Sequence, residues 1–129
     1  MAVKKAATKS VVKDAKQAGR DIGLGMPAPA KECDDVNCPW HGSLPVRGKI
    51  LKGTALPTKM QKTAIVEWGY HKFYKKYESY ERRKSRVNAH NPPCLHAREG
   101  DSVVLAECRP LSKTKKFVVV SISKRKGER

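Results

Sequence analysis

The chain has 129 residues, 28 of them Lys or Arg and 12 Asp or Glu, giving a formal net charge of +16. That length suits one domain with tails, and a polyanion such as nucleic acid would relieve the self-repulsion of so cationic a compact state. No stretch is apolar enough for a signal peptide or a membrane span, and no amphipathic basic helix suggests a membrane surface, so a cytoplasmic protein is expected.

Residues 1–20 are rich in Ala and Lys, and Val11, Val12, Ala15 and Ala18 give only a weak helical period. A flexible basic arm is expected there. Residues 21–45 collect Gly23, Gly25, Pro27, Pro29, Pro39, Gly42 and Pro45, which exclude long regular elements. This is an irregular Pro/Gly/Cys-rich extension.

From Val46 the texture changes. "VRGKILKGTAL" alternates small or apolar residues with basic ones and predicts a first strand. Past Pro57, "KTAIVEWGY" predicts a second. In "HKFYKKYESYERRKSR", Tyr70, Phe73, Tyr74, Tyr77 and Tyr80 recur at steps of three and four, yet a period of two also places Tyr70, Tyr74 and Tyr80 on one face. The expectation here is a loop or short helical turn. "RKSRVNAHN" predicts a third strand stopped by Pro92 and Pro93. After the turn signal Gly100-Asp101, "SVVLAECR" and "KKFVVVSISK" predict a hairpin joined through Arg109 to Thr114, and residues 124–129 form a basic tail. Five strands without a long helix make an all-β fold, either a small antiparallel barrel or a sandwich.

The cations fall in clusters. The middle of the chain carries Lys72, Lys75, Lys76, Arg82, Arg83, Lys84 and Arg86. The hairpin connection carries Arg109, Lys113 and Lys115, with Ser112 and Thr114 as hydroxyl donors; Arg47, Lys49 and His90 join these as candidate nucleic-acid contacts. One charge run is usually a solvated face. Several runs interleaved with Tyr, Phe and His fit nucleic acid better, because cations and hydroxyls hold phosphates while aromatic faces stack on unpaired bases. Pro110 stiffens the exit from the fourth strand, so this loop loses less entropy on binding than a Gly-rich one would.

"GDSVVLAECRPLSKTKKFVVV" is similar to the signature of the universal small-ribosomal-subunit protein seventeen family, on Gly100, Asp101, Val103, Glu107, Arg109 to Lys115, and Phe117. "RGKILKG", "KTAIVE" and "YHKFYKKYESYERRKSRVNAHNP" extend the resemblance over residues 46–123, and "CDDVNCPWHG" resembles archaeal members. The resemblance implies a five-stranded antiparallel OB-fold barrel over residues 46–123. It also implies a structural role in the small ribosomal subunit, direct binding to the 5′ domain of small-subunit rRNA during assembly, and neighbouring ribosomal proteins as partners. The alternative is a free OB-fold factor that binds single-stranded nucleic acid.

Cys33, Cys38 and His41 lie within nine residues, and Cys94 follows Pro92-Pro93. Together they are candidate ligands for one structural Zn2+, with His96 the rival to Cys94 and unmetallated thiols the alternative. Cys108, in a strand, is expected to be a small buried hydrophobe. There is no Ser-His-Asp arrangement, phosphate-cradling Gly loop or HExxH pattern, so neither an enzyme nor a small-molecule substrate is expected.

Overall fold

The computed structural model describes residues 19–124 and residue 127. The expected N-terminal arm therefore lies outside the described residues up to residue 18, as does nearly all of the tail beyond 124.

Five strands follow in chain order: β1 (Val46–Leu56), β2 (Thr63–Tyr74), β3 (Ser79–His90), β4 (Ser102–Cys108) and β5 (Lys115–Lys124). They close into a barrel in the order β1-β2-β3-β5-β4, the architecture of a five-stranded OB-fold. Four of the five strand pairings are antiparallel; β3 and β5 run parallel, pairing Asn88 with Lys115 and His90 with Val118. The antiparallel five-stranded barrel expected from sequence is therefore found, with that one seam as its exception. Closure requires it, because β5 returns beside β4 and meets the end of β3 in the same direction.

The interior is built from small and β-branched side chains. Ala55, Ala64, Val66, Ala89, Val103, Leu105 and Val119 form the core, with Leu51, Phe117 and Ile122 packed against it. Alanines on three facing strands fit the narrow bore of so small a barrel. Strands β4 and β5 are apolar on both faces for a different reason. Their outward Ala106 and Val120 are covered by Cys38 and Trp40 of the extension, so a near-continuous apolar run replaces strict alternation. In β1, Gly48 sits at φ 91° where the register with β4 shifts, and a Cβ there would lie 2.7 Å from the Glu107 carboxylate.

Around residues 70–80 the expected short helical turn is confined to Lys75–Tyr77, and long strands flank it. β2 and β3 pair at every position from Thr63–His90 to Tyr74–Ser79, while β1 pairs with β2 only from Thr54 to Leu56. Past Glu67 the two strands therefore leave the barrel as a two-stranded arm. A 3-10 turn at Lys75–Tyr77 closes it, with Glu78 in the left-handed region at φ 48°. The helical spacing of the aromatics was accidental: strand register, not a 3.6-residue period, arranges them.

Candidate nucleic-acid interface and metal centre

The extension folds into a tight knuckle. The Cys38 N–H donates to the Asp35 carbonyl at 3.0 Å, Gly42 to Cys38 at 3.0 Å and Ser43 to Val36 at 3.2 Å. A Cβ on Gly42 would lie 2.3 Å from the Val36 carbonyl oxygen, so no other residue fits this crossing. Cys94 comes from the β3–β4 connection, in a turn where Leu95 and His96 N–H both donate to Pro92 O.

The result is a four-residue cluster. The candidate ligand atoms of Cys33, Cys38, His41 and Cys94 lie within 4.8 Å of one another. His41 Nδ1 is 3.3 Å from Cys33 Sγ and 3.6 Å from Cys38 Sγ, and the Cys38 and Cys94 sulfurs are 3.7 Å apart. His96, the rival ligand, is exposed and borders a different cavity. Burial pushes the Cys38 and Cys94 thiols up, and Cys38 raises Cys94 further. Burial also acts upward on Cys33. There the hydrogen bond at Asp35 and those with Cys38, His41 and Cys94 outweigh it and hold the thiol below its ordinary value. Cys108, expected to be buried, is only half-buried.

Other contacts pin the knuckle down. Trp40, 2% exposed, donates its indole N–H to the Val120 carbonyl at 3.0 Å. The Arg20 guanidinium donates to the carbonyls of Pro39 and Leu44. His90 Nε2 lies 2.7 Å from Asp35 Oδ2, with both side chains almost fully buried and Lys62 3.9 Å away. Burial acts upward on the Asp35 carboxyl, but the His90 hydrogen bond and charge hold it below the usual range. His90, expected as an RNA contact, is almost fully buried in the described residues, where its ring joins extension to barrel.

The remaining candidate residues lie at the surface in three places. On the arm, Lys72, Lys75, Lys76, Arg82, Lys84 and Arg86 are exposed, and Arg83 is half-buried. They are not equally available. Glu67 accepts from Arg86 at 2.7 Å and pairs with Lys84 at 3.3 Å; Arg83 donates to Glu81 at 2.8 Å and to the Tyr74 hydroxyl at 2.7 Å. Lys72 sits 5.1 Å above the Tyr74 ring and Lys76 5.4 Å above Tyr77. Lys75 and Arg82 make no ion pair among the described residues. The second place is β1, where Arg47 and Lys49 are exposed and Arg47 shares a groove of about 630 Å3 with Arg109 and Pro110.

The third place is the β4–β5 connection. Leu111 N–H donates to Lys115 O at 2.9 Å, and Ser112 Oγ accepts from Lys115 N–H at 3.1 Å. Ser112 thereby shapes the loop, while Lys113 and Thr114 stand exposed at its tip. Arg109 reaches Asn37 of the knuckle at 3.4 Å.

The sequence-based candidates do not include the arm's aromatics, yet Tyr70, Phe73, Tyr77 and Tyr80 are all exposed, Tyr77 and Tyr80 at 70%. Phe73 and Tyr80 face each other across the strands with ring centroids 5.0 Å apart. Their signal in the sequence is five aromatic residues among eleven, in a stretch with little else to bury.

Comparison with known proteins agrees with this architecture. The family model described as ribosomal protein S17 matches residues 53–121, from within β1 to within β5. A "Small ribosomal subunit protein uS17" of Methanopyrus kandleri is 58% identical over 110 residues, covering 85% of this chain and 93% of the relative. Proteins of the same name from Methanospirillum hungatei and Methanocaldococcus jannaschii are 56% and 54% identical, covering 81% and 86% of this chain and 97% and 98% of the relatives. A match that runs through the barrel, the arm and the β4–β5 loop leaves one assignment: the chain belongs to the ribosomal protein S17 family, a family of ribosomal structural proteins and not of enzymes.

Proposed function

We propose that the chain is a structural constituent of the small ribosomal subunit, located with it in the cytoplasm. In this reading it binds the 5′ domain of small-subunit rRNA directly, supports subunit assembly and packs beside other ribosomal proteins. The observation that carries this reading is the arm. An arm that adds nothing to the buried core, yet bears Lys72, Lys75, Arg82, Phe73 and Tyr80 at its surface, suits an RNA groove. The exposed Lys113 and Thr114, with Arg47 and Arg109 in their shared groove, extend the basic surface around the barrel. Footprinting on naked small-subunit rRNA tests the reading. Protection confined to the 5′ domain is expected; even protection of all single strands would favour a free single-strand-binding factor instead.

The knuckle in this reading holds one structural Zn2+. Tetrahedral coordination with Zn–S near ~2.3 Å and Zn–N near ~2.0 Å places S···S at about 3.8 Å and S···N at about 3.5 Å. The 3.7 Å between Cys38 and Cys94 and the 3.3 and 3.6 Å to His41 fit those values. Zinc would supply the charge that lets three adjacent thiols ionise, and would clamp residues 33–41 to the barrel through Cys94. Elemental analysis is expected to give about one zinc per chain; protein purified without chelator that carries none sinks the assignment.

A further inference from the structure

At one end of the barrel, the β1–β2 and β3–β4 connections enclose a cavity of about 840 Å3. Its walls are apolar at Pro57, Met60, Pro93 and Ala97, and Met60 is 49% exposed although nothing polar in its side chain favours water. Lys59, Lys62 and Arg98 stand around it against Glu99 as its acidic lining residue. The floor is the barrel core itself, at Ala55 and Ala64.

This cavity is held in shape by its own hydrogen bonds. The Asn91 amide donates to Ala97 O and its Oδ1 accepts from Ala97 N–H, both at 3.0 Å, while Asn91 N–H donates to Lys62 O at 3.0 Å. Thr58 Oγ1 accepts from Met60 N–H at 3.1 Å. Lys62 and His96, which both line the cavity, occupy the left-handed region at φ 50° and 45°. Side-chain-bearing residues persist in that conformation where their surroundings over-determine it, and such positions cluster at ligand clamps. A second cleft, of about 370 Å3, shares Gln61 and Lys62 with the first and continues to Ser112 and Lys115 of the β4–β5 loop; Asn37 and the nearly buried Asp35–His90 pair also line it.

We propose that the larger cavity receives one unstacked RNA base, and that the adjoining cleft receives a phosphate of the same strand between Lys62 and Lys115. The inference rests on the rRNA-binding reading above and says where a nucleotide leaves its helix. A duplex presents its phosphates to a convex protein surface and cannot reach the cavity floor; a base turned out of its stack can. Proline rings and a polarisable thioether offer that base flat, apolar contact. The cations around the entrance match the charge of the sugar–phosphate chain that follows it. Lys62 remains available, since its side chain is 59% exposed and its contact with Asp35 is a loose 3.9 Å.

The test uses the full chain, naked small-subunit rRNA and the half-exposed Met60, whose loss threatens no core packing. Met60→Ala is expected to weaken binding about fivefold, at the lower end of what one base contact contributes, with the salt dependence unchanged. Arg98→Ala should instead reduce the magnitude of the log–log salt slope by about one. Ultraviolet cross-linking with peptide mass spectrometry should place a nucleotide on residues 57–62 or 93–98. If the wild-type chain binds rRNA but Met60→Ala matches it and no cross-link falls on those peptides, the pocket assignment is wrong and the rRNA reading stands. If cross-linking in intact subunits joins those peptides to a protein, the occupant is a neighbouring polypeptide and the proposal is overturned. If the wild type fails to bind rRNA, both readings fall together.

Discussion

The extension and the arm invert the usual link between regular structure and burial. Residues 19–45 contain no helix or strand, yet Cys38, Trp40 and Leu44 are as buried as the barrel core. The arm is an unbroken antiparallel ladder, yet Phe73, Tyr77 and Tyr80 lie open to solvent. Side chains hold the first in place: an indole, an ion pair and the ligand cluster. Backbone hydrogen bonds hold the second. A segment can therefore be indispensable to stability with no regular structure, and regular throughout with little to contribute to it.

Breaking the extension should cost most. Trp40→Ala removes a large buried side chain and the hydrogen bond to Val120, and is expected to destabilise the protein by about 3–5 kcal/mol in denaturant unfolding. Asp35→Ala leaves His90 buried without its partner and should cost about 1–3 kcal/mol at neutral pH. Because the Asp35 carboxyl is held below its ordinary 3.8, its contribution is present above that pH and is lost as the pH falls through the folded value. Acid titration of stability, with chelator in both samples, should show that loss in the wild type and not in Asp35→Ala.

The arm should respond in the opposite sense. Phe73→Ser with Tyr80→Ser is expected to shift unfolding by no more than about 0.5 kcal/mol. The same pair should weaken rRNA binding severalfold, since exposed aromatics serve the partner rather than the fold. A large loss of stability in this variant would erase the contrast between the two regions. Smallest of all, Lys113→Ala should lower the magnitude of the salt slope of binding by about one, and an unchanged slope would show that Lys113 meets no phosphate.

What could be read from the sequence follows from how local each signal is. Strands β4 and β5 were legible because VVLAEC and FVVVSI are bounded by Gly100-Asp101 and the loop at Pro110. The knuckle's Cys/His cluster was legible because three of its four members lie within nine residues. The arm was not, because Tyr70, Phe73, Tyr77 and Tyr80 satisfy a helical step by chance, while only pairing with β3 defines their faces. The burial of His90 was not legible because its partner, Asp35, lies 55 residues away in sequence. The parallel seam between β3 and β5 is hidden for the same reason: no local pattern encodes a pairing across the whole fold.

The placement of Cys94 sets a clock for synthesis. Its sulfur meets Cys38 across 56 residues, and Trp40 meets Val120 across 80. Translation adds about 5–20 residues per second, so the first three members of the cluster emerge about 3–11 s before the fourth. For that interval the nascent chain carries an incomplete thiol cluster and an unsheltered indole, and only the last strand to be made gives the indole its place.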